Sequence, residues 1–264
     1  MARIAVLGGG LVGSLVATEL ARKHSVSLLD PDQRALERVA RHAPAVELHA
    51  KRFSSARQLA GRDLALNCLP GSAGHAALTR IIDAGVDCVD ISFTERDPRV
   101  LDSAAHEAGA TVIPDAGIAP GFSNLLAAEL AGLAPQRLEI FVGGLPLRRD
   151  PPWEYAAPFS PPDVVAEYER PARLKRDGHT VAEPALSGCH PFQLMPGLVP
   201  KLPDGVALEA FLTDGLRSLL DLPVPQMAEY TLRYPGHATH FAKLRDSGCR
   251  DCAGIQQPAR GRTG

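Results

Sequence analysis

The sequence predicts an α/β protein: a doubly wound parallel sheet first, then a second domain of α+β type. Two observations carry that expectation. From Arg3 to Pro114 short apolar runs alternate with helical segments, the pattern of strands joined by crossover helices. After Asn124 the strict alternation stops, and Pro-rich stretches separate the remaining strands and helices. With 264 residues, 45% hydrophobic and 22% charged, the chain has the length and composition of one or two globular domains. The expected boundaries are 1–119, 120–246 and a poorly ordered tail at 247–264.

The first strand is "RIAVL", a short apolar run. "GGGLVG" follows and sets Gly8, Gly10 and Gly13 in a G-x-G-x-x-G, after which "LVATELARK" has helical spacing. The second strand, "SVSLLD", ends at Asp30. Gly8 allows the tight turn, Gly10 lets a pyrophosphate approach the backbone, and Gly13 lets helix and strand pack closely. The first helical turn, through Leu11 and Val12, offers N–H groups and a positive dipole end to phosphates. Asp30 stands where an acid accepts hydrogen bonds from the adenosine ribose. This strand–turn–helix–strand context makes a Rossmann-type dinucleotide site the expectation, against a glycine turn used only for packing. Asp30 favours NAD, with NADP as the alternative because Arg34 is close enough to soften its repulsion of a 2′-phosphate.

Four more strands are expected: "AVELHA", "DLALNCLPG", "VDCVDIS" and "ATVIP". Ligands bind beyond the carboxyl ends of such strands. Those ends carry Asn67 to Gly71, including Leu69 and Pro70, then Asp90 to Phe93, then Asp115 to Gly117. Asn67, Leu69, Pro70 and Asp90 are therefore expected at the cofactor. Asp115, in "VIPDAGIAPGFSN", is a lone acid on a Gly/Pro-rich loop; it is a candidate catalytic residue or, more plainly, a turn or capping acid. "LLAAELAGL" reads as a helix capped by Ser123 or Asn124. "RLEIFVGGLP" reads as a strand entering a Gly-Pro turn.

Composition excludes some functions. A net charge of −2 gives no electrostatic case for nucleic acid or an anionic membrane. The N-terminal apolar run is short and broken by glycines, so no signal peptide is expected, and no run of 18 or more apolar residues suggests a span. The cytoplasm is the expected compartment. Cys68, Cys88, Cys189, Cys249 and Cys252 are not a disulfide framework. The Cys249–Cys252 pair lacks a second pair at zinc spacing, and no metal is expected.

The motifs "VLGGGLVG", "NCLPG", "VDIS", "PDAGIAPGFSN", "VGGLP", "FSPPDVVAEYERPA", "EAFLTDGLRSLL" and "TLRYPGH" stand in this order from about residue 3 to residue 241. With them the chain resembles the saccharopine dehydrogenase (glutamate-forming) and lysine 6-dehydrogenase family. "TDGLRSLL" and "TLRYPGH" are the most specific of the set. The resemblance implies an NAD(P)-dependent enzyme that oxidises the CH–NH or CH–NH2 group of a lysine-like amino acid, an N-substituted one such as saccharopine, or a carboxylated polyamine. A small-molecule partner and a homodimer are expected.

Amine oxidation needs a base or proton relay and a substrate held by its remote groups. Asp115 is the candidate to orient or deprotonate the amine. Arg233 is the candidate clamp for an α-carboxylate, because its planar fork suits one. His237 is the candidate proton relay, and Glu154 a lesser candidate contact. The corresponding surface and structural roles stand beside each, and Tyr234, Pro235 and Gly236 are expected to shape the turn. Phe93 departs from relatives with tyrosine there and cannot donate a proton. Relatives also continue past "RYPGHATHF", so "AKLRDSGCRDCAGIQQPARGRTG" reads as a truncated or frame-shifted end. That reading expects poor turnover and uncovered apolar strand faces. The alternatives are a non-catalytic, degenerate nucleotide-binding remnant and, more remotely, an ion channel's regulatory nucleotide domain.

Overall fold

In a computed structural model the chain forms two compact units, Met1–Gly117 and Ile118–Gly264, and the structure describes residues 1–199 and 205–247. Cys249 and Cys252, with almost all of the expected tail, lie outside the described residues.

The first unit is a six-stranded sheet: β1 (Arg3–Leu7), β2 (Ser25–Leu29), β3 (Glu47–His49), β4 (Leu64–Asn67), β5 (Asp87–Asp90) and β6 (Val112–Ile113). All pairs are parallel, in the order β3-β2-β1-β4-β5-β6. The connecting helices are α1 (Leu11–Leu20), α2 (Gln33–His42), α3 (Gly71–Asp83) and α4 (Asp102–Ala108). Successive side chains of a strand point to opposite faces, and here both faces are covered. Ala5 and Leu7 of β1 pack with Leu78, Ile81 and Ile82 of α3. Ile4 and Val6 pack on the other side with Ala17 of α1 and with Leu36 and Val39 of α2. That double burial is why "RIAVL" is continuously apolar rather than alternating. The chain steps outward from β1 to β3, then returns to lay β4 on the other edge of β1. The order therefore reverses between β1 and β4, where doubly wound sheets hold ligands.

The second unit is a mixed sheet. Its strands are β7 (Arg137–Val142), β8 (Ala172–Arg176), β9 (His179–Glu183), β10 (His190–Gln193), β11 (Ala207–Leu212) and β12 (Gln226–Arg233). Its helices are α5 (Phe122–Ala131), α6 (Pro161–Glu169) and α7 (His237–Asp246). β12 is the axis of this sheet. It pairs with β7 in parallel from Gln226 to Thr231. β11 and then β8 share its other edge, both antiparallel. One face carries Leu208, Ala210 and Leu232, with Phe141 and Phe192 packed against them, their rings tilted at 32° to each other. On the opposite face Phe211 meets Val164 and Tyr168 of α6 and Ala238 and Phe241 of α7. Burying side chains of this size stabilises the unit by about 1.5–3 kcal/mol each.

Two expectations need correction. Neither Ser123 nor Asn124 is the N-cap of α5. The helix starts earlier, at Phe122 after Gly121, and Asn124 reaches back so that its Oδ1 accepts from the Gly121 N–H at 3.0 Å. The second unit's strands are also expected to leave apolar faces uncovered, but α6 and α7 pack on the Phe211 face of the sheet, and Phe141 and Phe192 pack on the other. Among the described residues, large exposed apolar side chains in this unit lie on α5 and on loops instead.

Candidate functional site

The glycine loop joins β1 to α1. Gly8 turns at φ +97, a conformation that favours glycine. A Cβ on Gly13 would stand 1.9 Å from the Gly8 carbonyl oxygen, so only glycine lets α1 lie this close to the loop. Gly10 is different. A Cβ there would meet nothing within 4 Å, and Gly10 begins α1 with no side chain capping it. The N–H groups of a first helical turn have no partner inside the helix. Glycine at Gly10 thus keeps open a space in front of unpaired donors, the cradle a pyrophosphate requires. Leu11 and Val12 form that turn and are exposed.

Asp30 ties this loop to the end of β2. Its Oδ2 accepts from the Gly9 N–H at 2.5 Å and its Oδ1 from the Asp32 N–H at 2.7 Å. Both oxygens keep lone pairs for further donors. Arg34 lies in the first turn of α2, where its N–H donates to the Asp32 side chain. Across the switch point, the Cys68 N–H donates to the Leu7 carbonyl. Leu69 packs on the core, and Pro70 begins α3.

Behind these loops is a buried polar network. The Asn67 side-chain amide donates to the Gly74 carbonyl at 3.0 Å and to Ser92 Oγ at 3.3 Å. Ser92 in turn donates, from N–H and hydroxyl, to Asp90 Oδ1. Burial raises the Asp90 carboxyl to about 6, with a smaller push from the Asp115 charge. Asp115 follows β6 in the left-handed region at φ +53, and the next N–H, of Ala116, donates to the Asp90 carbonyl. The two acids therefore sit at neighbouring strand ends of the same sheet edge. Phe93 follows Ser92 on that edge.

In the second unit, Glu229, Thr231 and Arg233 alternate along β12 and so share one face; all three are buried. The Arg233 guanidinium lies over the Tyr155 ring, 4.1 Å from its centroid. Its Nε donates to the Tyr168 hydroxyl at 2.7 Å and its Nη1 to the Leu232 carbonyl at 2.8 Å. No carboxylate among the described residues pairs with it, and Nη2 has no hydrogen bond there. Its cross-strand neighbour Glu209 is committed elsewhere, accepting from the N–H groups of Gly236 and Ala238 at the start of α7. Burial opposes the Arg233 charge, but Tyr168, Tyr155 and Glu167 together outweigh it and keep the group protonated.

His237 opens α7. Its Nδ1 lies 3.1 Å from the Trp153 carbonyl, and its Nε2 lies 3.1 Å from the Tyr168 hydroxyl. Burial, with the Arg233 charge behind it, lowers the ring to about 4, so it is neutral near pH 7. A carbonyl only accepts, so Nδ1 carries the proton and Nε2 accepts from Tyr168. The order is then fixed: Arg233 to Tyr168, Tyr168 to His237, His237 to Trp153. Glu154 is ion-paired with Arg149 at 2.6 Å.

Sequence comparison matches both units. Residues 4–113 fit the model of the saccharopine dehydrogenase NADP binding domain, and residues 117–258 fit that of the saccharopine dehydrogenase C-terminal domain. The chain belongs to the saccharopine dehydrogenase family. It is 25% identical to the mitochondrial alpha-aminoadipic semialdehyde synthase of Mus musculus over 214 residues, which are 74% of this chain and 23% of that protein. Against the alpha-aminoadipic semialdehyde synthase of Arabidopsis thaliana it is 24% identical over 216 residues, 76% of this chain and 20% of that protein. The chain thus spans about a fifth to a quarter of these relatives' length. An apo saccharopine dehydrogenase (L-Glu forming) from Saccharomyces cerevisiae has the same fold, with a TM-score of 0.72 at 21% identity over 94% of this chain and 58% of that one.

Family membership and the open space at Gly10 agree that the first unit is an NAD(P)-binding domain. Tyr155, Glu167, Tyr168, Thr231 and Glu229 escaped the sequence reading. A signal for two of these was present, because Glu229 and Thr231 alternate with Arg233 in "MAEYTLR".

Proposed function

We propose that this chain is an NAD(P)-dependent oxidoreductase acting on the CH–NH or CH–NH2 group of a lysine-like amino acid. The observation that carries this reading is Arg233, a buried guanidinium with no carboxylate partner among the described residues, in a unit that follows an NAD(P)-binding domain. Burying a cation without a counter-ion costs several kcal/mol, and a substrate carboxylate would recover that cost. A bound nicotinamide would supply the hydride acceptor or donor.

The chain's own residues have separate tasks. Backbone N–H groups from Gly10 to Gly13 bind the pyrophosphate, with Gly8 setting the turn. Asp30 accepts from the adenosine ribose and sets a preference for NAD. Asn67, Leu69, Pro70 and Asp90 shape the floor of the cofactor site. Asp115 orients the amine and takes its proton. Arg233 clamps the α-carboxylate, and His237 acts on it through Tyr168. A homodimer is part of the proposal, supported by the apolar side chains Leu125, Leu126 and Leu130 that α5 exposes.

The test is NAD(P)H formation by the purified chain with lysine, saccharopine and related amines. Arg233→Ala should raise KM for the amino acid by roughly 30-fold or more, about 2 kcal/mol, with cofactor affinity unchanged. Asp115→Asn should keep cofactor binding and lose turnover. Cofactor binding with no turnover of any amine would refute the enzyme reading.

A further inference from the structure

Arg233 is one of two opposite charges held close without being paired. Thr231 and Arg233 are two residues apart on the same face of β12, and Glu167 and Tyr168 are consecutive on α6. The four meet as two rungs: Thr231 donates to Glu167 Oε1 at 2.8 Å, and Arg233 donates to the Tyr168 hydroxyl at 2.7 Å. Glu167 is close enough for its charge to raise the Arg233 ionisation, yet the two form no ion pair. Each keeps one unused edge among the described residues, Oε2 on Glu167 and Nη2 on Arg233. The rungs themselves prevent collapse, since Tyr168 holds Nε and Thr231 holds Oε1. A facing carboxylate and guanidinium with free edges match a ligand that carries both charges on one carbon.

We propose that Glu167 is a specificity-determining residue that accepts the α-ammonium group of an amino acid whose α-carboxylate lies on Arg233. This rests on the amino-acid reading above and adds a second contact to it. Lysine would make both contacts. 6-Aminohexanoate, which is lysine without its α-ammonium, would make only the contact to Arg233. Cadaverine, which lacks the carboxylate, would lose the Arg233 contact.

The experiment is calorimetric binding of these three compounds to the full chain and to its E167Q and R233K variants. The wild-type chain should bind lysine at least tenfold more tightly than 6-aminohexanoate, and cadaverine weakly. E167Q should remove the advantage of lysine while leaving 6-aminohexanoate binding unchanged, which also shows that the variant is folded. R233K should weaken both carboxylate ligands. Equal wild-type affinity for lysine and 6-aminohexanoate would overturn the role of Glu167 and leave the Arg233 clamp standing. So would an equal loss of both ligands in E167Q, or no loss in that variant. Failure of the wild-type chain to bind any carboxylate ligand would overturn the amino-acid reading together with this one.

Discussion

Glu229 should make this protein lose stability as pH rises, and Glu229→Gln should abolish that loss. The side chain is 5% exposed. Its Oε2 has no hydrogen-bond partner among the described residues, and its Oε1 lies against Gly215, where a Cβ would come within 1.4 Å. Glu167 of α6 and Asp214 of the loop after β11 face it with like charge, and Arg173 of β8 is already taken by Asp214 at 2.8 Å. Burial first, then these two acids, raise the carboxyl to about 8. The folded state therefore holds a proton that the unfolded chain, with an ordinary glutamate near 4.5, gives up. Stability from this group is fully present below about pH 4.5 and is lost progressively as pH rises towards 8. At pH 7 the loss is on the order of 1.4 kcal/mol per pH unit over 2.5 units, or about 3 kcal/mol.

Glutamine keeps the shape and cannot ionise. Glu229→Gln should match the parent near pH 4.5 and exceed it at pH 7 by up to about 3 kcal/mol. At roughly 2–4 °C per kcal/mol, that is a Tm gain of about 6–12 °C. Thermal melts of both proteins at half-unit steps from pH 4.5 to 8.5 read the difference directly. Two parallel curves, with a constant gap between parent and variant, would refute a neutral buried acid at this position.

The glycine loop gives a paired expectation: Gly10→Ala should leave Tm unchanged but weaken NAD(P) binding at least tenfold, because its methyl would meet only the ligand, whereas Gly13→Ala should lower Tm as its methyl meets the Gly8 carbonyl. Cofactor titration and melting of both variants check this, and unaltered binding in Gly10→Ala would remove the pyrophosphate from that space. Asp30→Ser should shift the affinity ratio towards NADP by roughly tenfold, about 1.4 kcal/mol, read by titrating both cofactors. Gly215→Ala should destabilise by about 1–3 kcal/mol through overpacking. Because the obstructing atoms belong to the Glu229 side chain, Glu229→Ala in the same chain should restore most of the loss, and a melt of the double variant decides it.

The two units were not equally legible in the sequence, and the reason is the range of the contacts involved. The loop from Gly8 to Gly13 and the acid at Asp30 lie within about one βαβ unit, so spacing alone states their geometry. Arg233 and His237 were visible because "RYPGH" compresses strand end, turn and helix start into a few residues. Their partners come from far away: Tyr168 is 65 residues from Arg233, and Trp153 is 84 from His237. No local pattern encodes such a pairing. Glu229, Thr231 and Arg233 illustrate the difficulty best. Polar residues alternating in a strand ordinarily mark a face turned to water. β12 has neighbours on both edges, and α6 covers the face that these residues share. Their polarity must then be met from within the protein, and each is met differently. Thr231 has Glu167 and Thr213. Glu229 is met by keeping its proton. Arg233 is met by rings and a phenol, with the Glu167 charge near it but not ion-paired to it. A buried cation left in that condition on a polar stripe is costly to maintain, and an anionic ligand is the reading that gives the cost a purpose.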